Sequence, residues 1–108
     1  MAGGDHNIDV TKNVKTIEWM KSELLNSVAG LFELLMKGVK GSQDALVDLL
    51  ANIILVTYIL GKRLGVNFYT VDMRIEDKIK LGILEHHKVE DWYGDLSSLK
   101  QYMNRNRS

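Results

Sequence analysis

Asp48 and Asn52 stand four residues apart inside Ala45 to Leu60, a stretch that is otherwise almost wholly apolar. On a helix that spacing stacks the two polar groups on one face, and Asp44 extends the stripe by a turn. A helix apolar nearly all round is buried in a bundle or between subunits, where polar groups cost free energy unless something pairs with them. Two chemistries suit such a pair. Their oxygens could hold a cation and, through it, a phosphate. Alternatively, the groups bond to one another and to their neighbours, and fix the register of a bundle or a dimer. Glu33 is the acid that comes before them across a glycine-marked turn, and it can equally pair with Lys37 at i+4. Lys78 sits among Glu76, Asp77 and Lys80, the pattern of a solvated charged face. His86 and His87 are adjacent, so on a helix they point apart and make a poor ligand pair. No glycine-rich phosphate loop, Ser-His-Asp order or cysteine motif points to another enzyme class.

The elements that position these residues read as helices. Proline is absent, and β-branched residues nowhere alternate with polar ones over a useful length. Residues 1–8 are glycine-rich and polar, and are expected to fray. Asp9 or Thr11 is a candidate cap for a first helix whose apolar stripe runs Val10, Val14, Ile17, Met20, Leu24, Val28, Leu31, Leu35. That run is one helix or two, with Gly30 marking either close backbone packing or a break. Lys37 to Gly41 is a stop and a turn. Ser42 is positioned to cap the central helix, expected over Ser42 to Leu64, and the short connection makes the two helices antiparallel neighbours. After Gly65-Val66-Asn67, Thr70 is expected to cap a third helix with Val71, Ile75, Ile79 and Ile83 on its apolar face. Glu85 to Asp95 reads as a loop or irregular turn that packs Trp92 and Tyr93 onto the bundle. Asp95 then caps a last helix, Leu96 to Met103, before the polar tail 104–108. Trp19, Phe32, Tyr58, Trp92 and Tyr93 read as core or interface residues.

Composition narrows the classes. The chain has 108 residues, enough for one domain with one core, taken here as residues 9–103. Fourteen basic and fourteen acidic residues cancel, which argues against a nucleic-acid partner. Cysteine is absent, so disulfides and thiolate chemistry are excluded, and a reducing compartment fits. The apolar run is expected to be too short and too interrupted to span a bilayer, and the start lacks the apolar region of a signal peptide. The expectation is a cytoplasmic protein with no membrane partner.

Three stretches in order resemble the MazG-like all-α nucleoside triphosphate pyrophosphohydrolases. Ser27 to Gly38 (SVAGLFELLMKG) is similar to the family's first acidic helix. Asp48-Leu-Leu-Ala-Asn-Ile-Ile, running on to Leu64-Gly65-Val66, is similar to its second. Ile75 to Gly82 (IEDKIKLG) is similar to the helix that carries a lysine and, four residues on, an asparagine. The likeness is to the small, divergent MazG-like branch with a WYGD-type stretch, here Trp92 to Asp95. The resemblance implies an all-α antiparallel bundle, Mg²⁺ held by carboxylates on two helices, and cleavage of a nucleoside triphosphate to the monophosphate and pyrophosphate. Carried onto this chain, the first acidic pair falls on Ser27 and Gly30, and the second on Leu49 and Asn52. The asparagine falls on Gly82. Lys78 keeps the lysine position and with it an implied phosphate-binding role.

Antiparallel helices joined near Lys40 lie level where residue numbers total roughly 80. Glu33 is then expected beside Asp48, and Ser27 beside Asn52. Glu33, Asp48 and Asn52 become a thin oxygen cluster, the remnant metal site. Glu23 stands level with Thr57, about 13 Å along the axis from Asp48, and is expected to lie outside it. Two readings follow: a MazG-like domain with a degenerate acidic site and weak or absent catalysis, using Mg²⁺ if active, or a non-catalytic helical binding or assembly module. A central helix this apolar in so small a domain also implies self-association, as a homodimer or dimer of dimers.

Overall fold

The computed structural model describes residues 2–38 and 43–107, all helical apart from the turns. Five helices follow in order: α1 Ala2–Lys37, α2 Gln43–Arg63, α3 Phe68–Leu84, α4 Lys88–Tyr93 and α5 Asp95–Arg107. No strand occurs among the described residues, so the chain is all-α. It forms two compact units, Met1–Phe68 and Tyr69–Ser108.

The first unit is a helical hairpin. α1 is one helix of 36 residues with no break at Gly30, and Asp9 and Thr11 lie inside it rather than capping it. Gly30 is a point of close packing: a Cβ there would come within 3.2 Å of Leu49 Cδ2 on α2. The backbones of α1 and α2 approach because one side chain is missing where the other needs room. Near the far end, Asn13 Nδ2 donates to the carbonyl of Arg63 at 3.0 Å and satisfies an orphan acceptor in the last turn of α2. α2 stops in a Schellman turn: Gly65 takes φ 92°, Val66 N–H donates to Gly61 O and Gly65 N–H to Lys62 O. The Phe68 and Tyr58 rings pack perpendicular to one another, and Lys62 lies over the Phe68 ring. The expected Ser42 cap and the turn residues 39–41 lie outside the described residues.

α2 differs from expectation in one respect. At 21 residues it is long and apolar enough to cross a membrane by length and composition, because the helix extends beyond the apolar run at both ends. The first unit also buries little. Val56, 4% exposed, is its one buried apolar side chain among the described residues, while Trp19 and Phe32 stay largely in solvent rather than in a core.

In the second unit α3 begins at Phe68, so Thr70 is inside the helix and not its cap. It ends in a second Schellman turn, in which His86 takes the left-handed position (φ 56°), His87 N–H donates to Gly82 O and His86 N–H to Ile83 O. The stretch expected to be a loop contains α4, whose first turn is capped by His87: its Nδ1 accepts the Val89 N–H at 3.1 Å. Glu90 then reaches over to α5, accepting from the Ser97 N–H at 3.0 Å and from the Ser97 hydroxyl. Those bonds hold the Glu90 carboxyl below its ordinary value of 4.5, the hydroxyl bond contributing most. Trp92 and Tyr93 form an edge-to-face pair but stay exposed, so of the core or interface roles expected for them the core one does not hold. Among the described residues of this unit, Ile79 is the buried apolar one.

Candidate functional site

The polar residues of α2 are positioned by its pairing with α1, and the described geometry sorts them. Asn52 is half-buried at the seam. Its Nδ2 donates to Ser27 Oγ at 2.7 Å and to Glu23 Oε1 at 3.0 Å. Ser27 is 7% exposed, the one buried polar residue among those described. Glu23 and Ser27 are four apart on α1 and therefore stacked on one face, so a single amide can bridge them. The amide's two N–H groups are both used, and no buried side-chain nitrogen or oxygen among the described residues lacks a partner.

The expected register holds where it can be checked. Ser27 meets Asn52, and Gly30 meets Leu49. The expected membership of the cluster is different. Glu33 is exposed and bonded along its own helix to Lys37 at 3.0 Å. It lies six residues after Ser27, more than a turn and a half on, which turns it away from the α2 face. Asp48 is exposed and bonds to no described residue. Glu23, expected to be too far along the axis, is the carboxylate that touches Asn52. Lys78 is exposed on α3 in the second unit.

Sequence reasoning therefore missed Glu23 and treated Ser27 only as a lost acid. The available signal was their own i, i+4 spacing opposite an amide with two donors. The axial estimate compared Glu23 with Asp48 and ignored the reach of a glutamate side chain toward Asn52.

Chemically, the seam offers one carboxylate, one hydroxyl and one amide whose N–H groups face them both. Among the described residues no three of His, Cys, Asp and Glu lie close enough together to share a metal ion. A pair of magnesium ions needs several convergent oxygens, carboxylates foremost, and presents no use for N–H donors. The donor set at the seam does not fit such a pair. Two open grooves flank the hairpin, of about 520 Å³ beside Lys12, Thr16 and Arg63, and about 450 Å³ beside Leu24, Val28 and Leu60. Neither includes Glu33, Asp48 or Asn52.

Neither the curated proteins nor the solved structures yield a match to this chain. Residues 10–96 match the MazG-like family. The matched segment takes in most of α1, all of α2, α3 and α4, and the start of α5, the order in which the three sequence resemblances fall. The chain belongs to the MazG-like family.

Proposed function

We propose that this chain is a MazG-like domain, related to the nucleoside triphosphate pyrophosphohydrolases, in which a hydrogen-bonded seam has taken the place of the acidic site and catalysis is weak or absent. One observation carries the reading: the Asn52 amide lies between Glu23 and Ser27 with both its N–H groups satisfied. In an active relative of the kind the family implies, that space would serve carboxylates and magnesium. Here the Asn52 amide supplies Glu23 with an N–H donor from within the protein. The other family positions point the same way, since Gly30 and Leu49 carry no oxygen and pack on each other. No step through magnesium is derived from this donor set.

The test is direct. Purified protein is incubated with a panel of nucleoside and deoxynucleoside triphosphates and Mg²⁺, with pyrophosphate release and calorimetric binding as readouts. The expected result is release at the no-protein background. Mg²⁺-dependent release that disappears in Asp48→Ala would overturn the proposal and restore an enzyme. A second reading, a helical assembly module that retains the family fold, is favoured by the exposed apolar residues of α2, among them Val47, Leu50 and Ile54.

A further inference from the structure

His87 gathers the N-terminal end of α4. Its own N–H donates to Gly82 O at 2.9 Å and closes the turn that ends α3. Its carbonyl accepts the N–H groups of Glu90 at 2.9 Å and Asp91 at 3.0 Å. Its ring Nδ1 accepts the Val89 N–H at 3.1 Å. The backbone there, φ −54° and ψ 141°, is that of a residue just outside a helix. A backbone N–H only donates, so Nδ1 must present a lone pair to it. The cap therefore exists only with a neutral ring whose proton sits on Nε2.

α4 has little else to hold it. It has six residues and no buried side chain, and Trp92 and Tyr93 are exposed. A helix that short does not stand alone in water, and a cap is worth about a factor of five in helix population. We propose that His87 makes α4 a pH-sensitive element, a short helix that is closed while the imidazole is neutral and opens from its first turn when the ring takes up a proton. The proposal is independent of whether the domain handles nucleotides. On protonation Nδ1 becomes a second donor facing the Val89 N–H, so a hydrogen bond turns into a repulsion. The new positive charge also stands among the unpaired N–H groups at the positive end of the helix. Both changes favour the open form. The closed helix is thus present on the basic side and lost as pH falls through the histidine range, about pH 8 to 5.

The other charges of this corner decide how large the effect is. Glu85, Lys88, Glu90 and Asp91 lie within four residues of the ring in either form, whereas the Val89 bond exists only in the closed one. Lys78, one turn before Gly82 on α3, and Asp95, which opens α5, are of opposite sign and offset each other. Glu90 stays ionised throughout, its carboxyl being held below 4.5 by Ser97. His86 works against the switch. Its Nδ1 lies 3.4 Å from Asp91 Oδ1, so protonation there strengthens a tie onto α4. The two side chains of that pair are 80% and 47% accessible, so water screens it and the cap outweighs it.

Nuclear magnetic resonance on the full chain provides the test. Ring nitrogen shifts identify which atom of His87 carries the proton, and backbone Cα shifts of residues 88–93 report how much of α4 is formed. Between about pH 8 and about pH 5.5 the wild type should pass from the Nε2–H tautomer to imidazolium. The open-to-closed ratio of α4 should rise about fivefold in step, while the shifts of α2 stay constant. His87→Asn places a good cap that does not titrate at the same position, so α4 should stay formed across the range. His87→Ala should leave α4 equally open at both ends of it. His86→Asn should keep the transition, since the ring at 87 carries it. Three outcomes would overturn the proposal: a wild type whose shifts at 88–93 do not move with pH, an equal change in His87→Asn, and a transition lost in His86→Asn. If the variants fail to fold, the wild-type titration still decides, because the α4 shifts must follow the ring of His87 and not that of His86.

Discussion

Asn52 is the residue on which the hairpin's polar chemistry converges. Removing its amide strands the hydroxyl of Ser27, a residue only 7% exposed, and takes the Asn52 N–H from Glu23. Asn52→Ala should therefore lower stability by about 1–3 kcal/mol, measured by urea unfolding with an unchanged m-value. Ser27→Ala alone should cost less, because Glu23 can still hold the amide. A cost for Asn52→Ala no larger than that of an exposed surface substitution would show that the seam is not structurally coupled. Glu90 makes a separate prediction. Its native carboxyl is held below 4.5 by the two Ser97 bonds, so the folded state favours the ionised form more than the unfolded state does. The contribution is complete above about pH 4.5 and is lost as pH falls through the native value. Thermal midpoints measured from pH 7 to pH 3 should fall further for wild type than for Glu90→Gln. Parallel curves would remove this role.

At the scale of elements, the stops are as informative as the helices. Among the described residues, four helix ends place a residue in the left-handed region: Gly38, Gly65, His86 and Gly94. His86 is the exception, because an L side chain there crowds the following carbonyl. His86→Gly should stabilise the second unit by about 0.5 kcal/mol, the relief being partly offset by the greater freedom of glycine when unfolded. The loss of the exposed His86–Asp91 contact at 3.4 Å matters little beside this. A lower thermal midpoint for His86→Gly would mean that the contact or the imidazole's packing outweighs the backbone. This corner was hidden in the sequence because its capping groups are a histidine and a glutamate rather than the usual Ser, Thr, Asp or Asn. The same gap explains Thr70. It is a good cap residue by type, yet α3 had already begun at Phe68.

At the scale of the molecule, the helical class, the central helix and the α1–α2 register were legible, because they rest on periodicity and on a short connection between neighbouring helices. Ser27 opposite Asn52 follows from arithmetic on the turn alone. What could not be read was azimuth. Glu33 is level with the second helix's acids but faces away, and one-dimensional bookkeeping along the axis has no term for that. The apolar length of α2 was underread for a related reason: the run was counted, whereas the helix extends into its flanking turns. Of the two roles expected for the aromatic residues, core or interface, the core one fails for Trp19, Phe32, Trp92 and Tyr93, which are all exposed. In a hairpin with a single buried aliphatic, large apolar side chains mark surfaces that await a cover. If the cover is another copy, the thermal midpoint should climb with protein concentration, as for any assembly in which folding and association are linked.

Gly30 and Leu49 carry a consequence for substitution at either position. The leucine methyl already fills the space above the bare α-carbon, 3.2 Å from where a β-carbon would stand. Both are positions at which the family resemblance places acids. An acidic side chain at position 30 would press on Leu49 unless that leucine shifted or shrank at the same moment. The two positions are thereby coupled, and a smaller residue at 49 should ease any side chain introduced at 30.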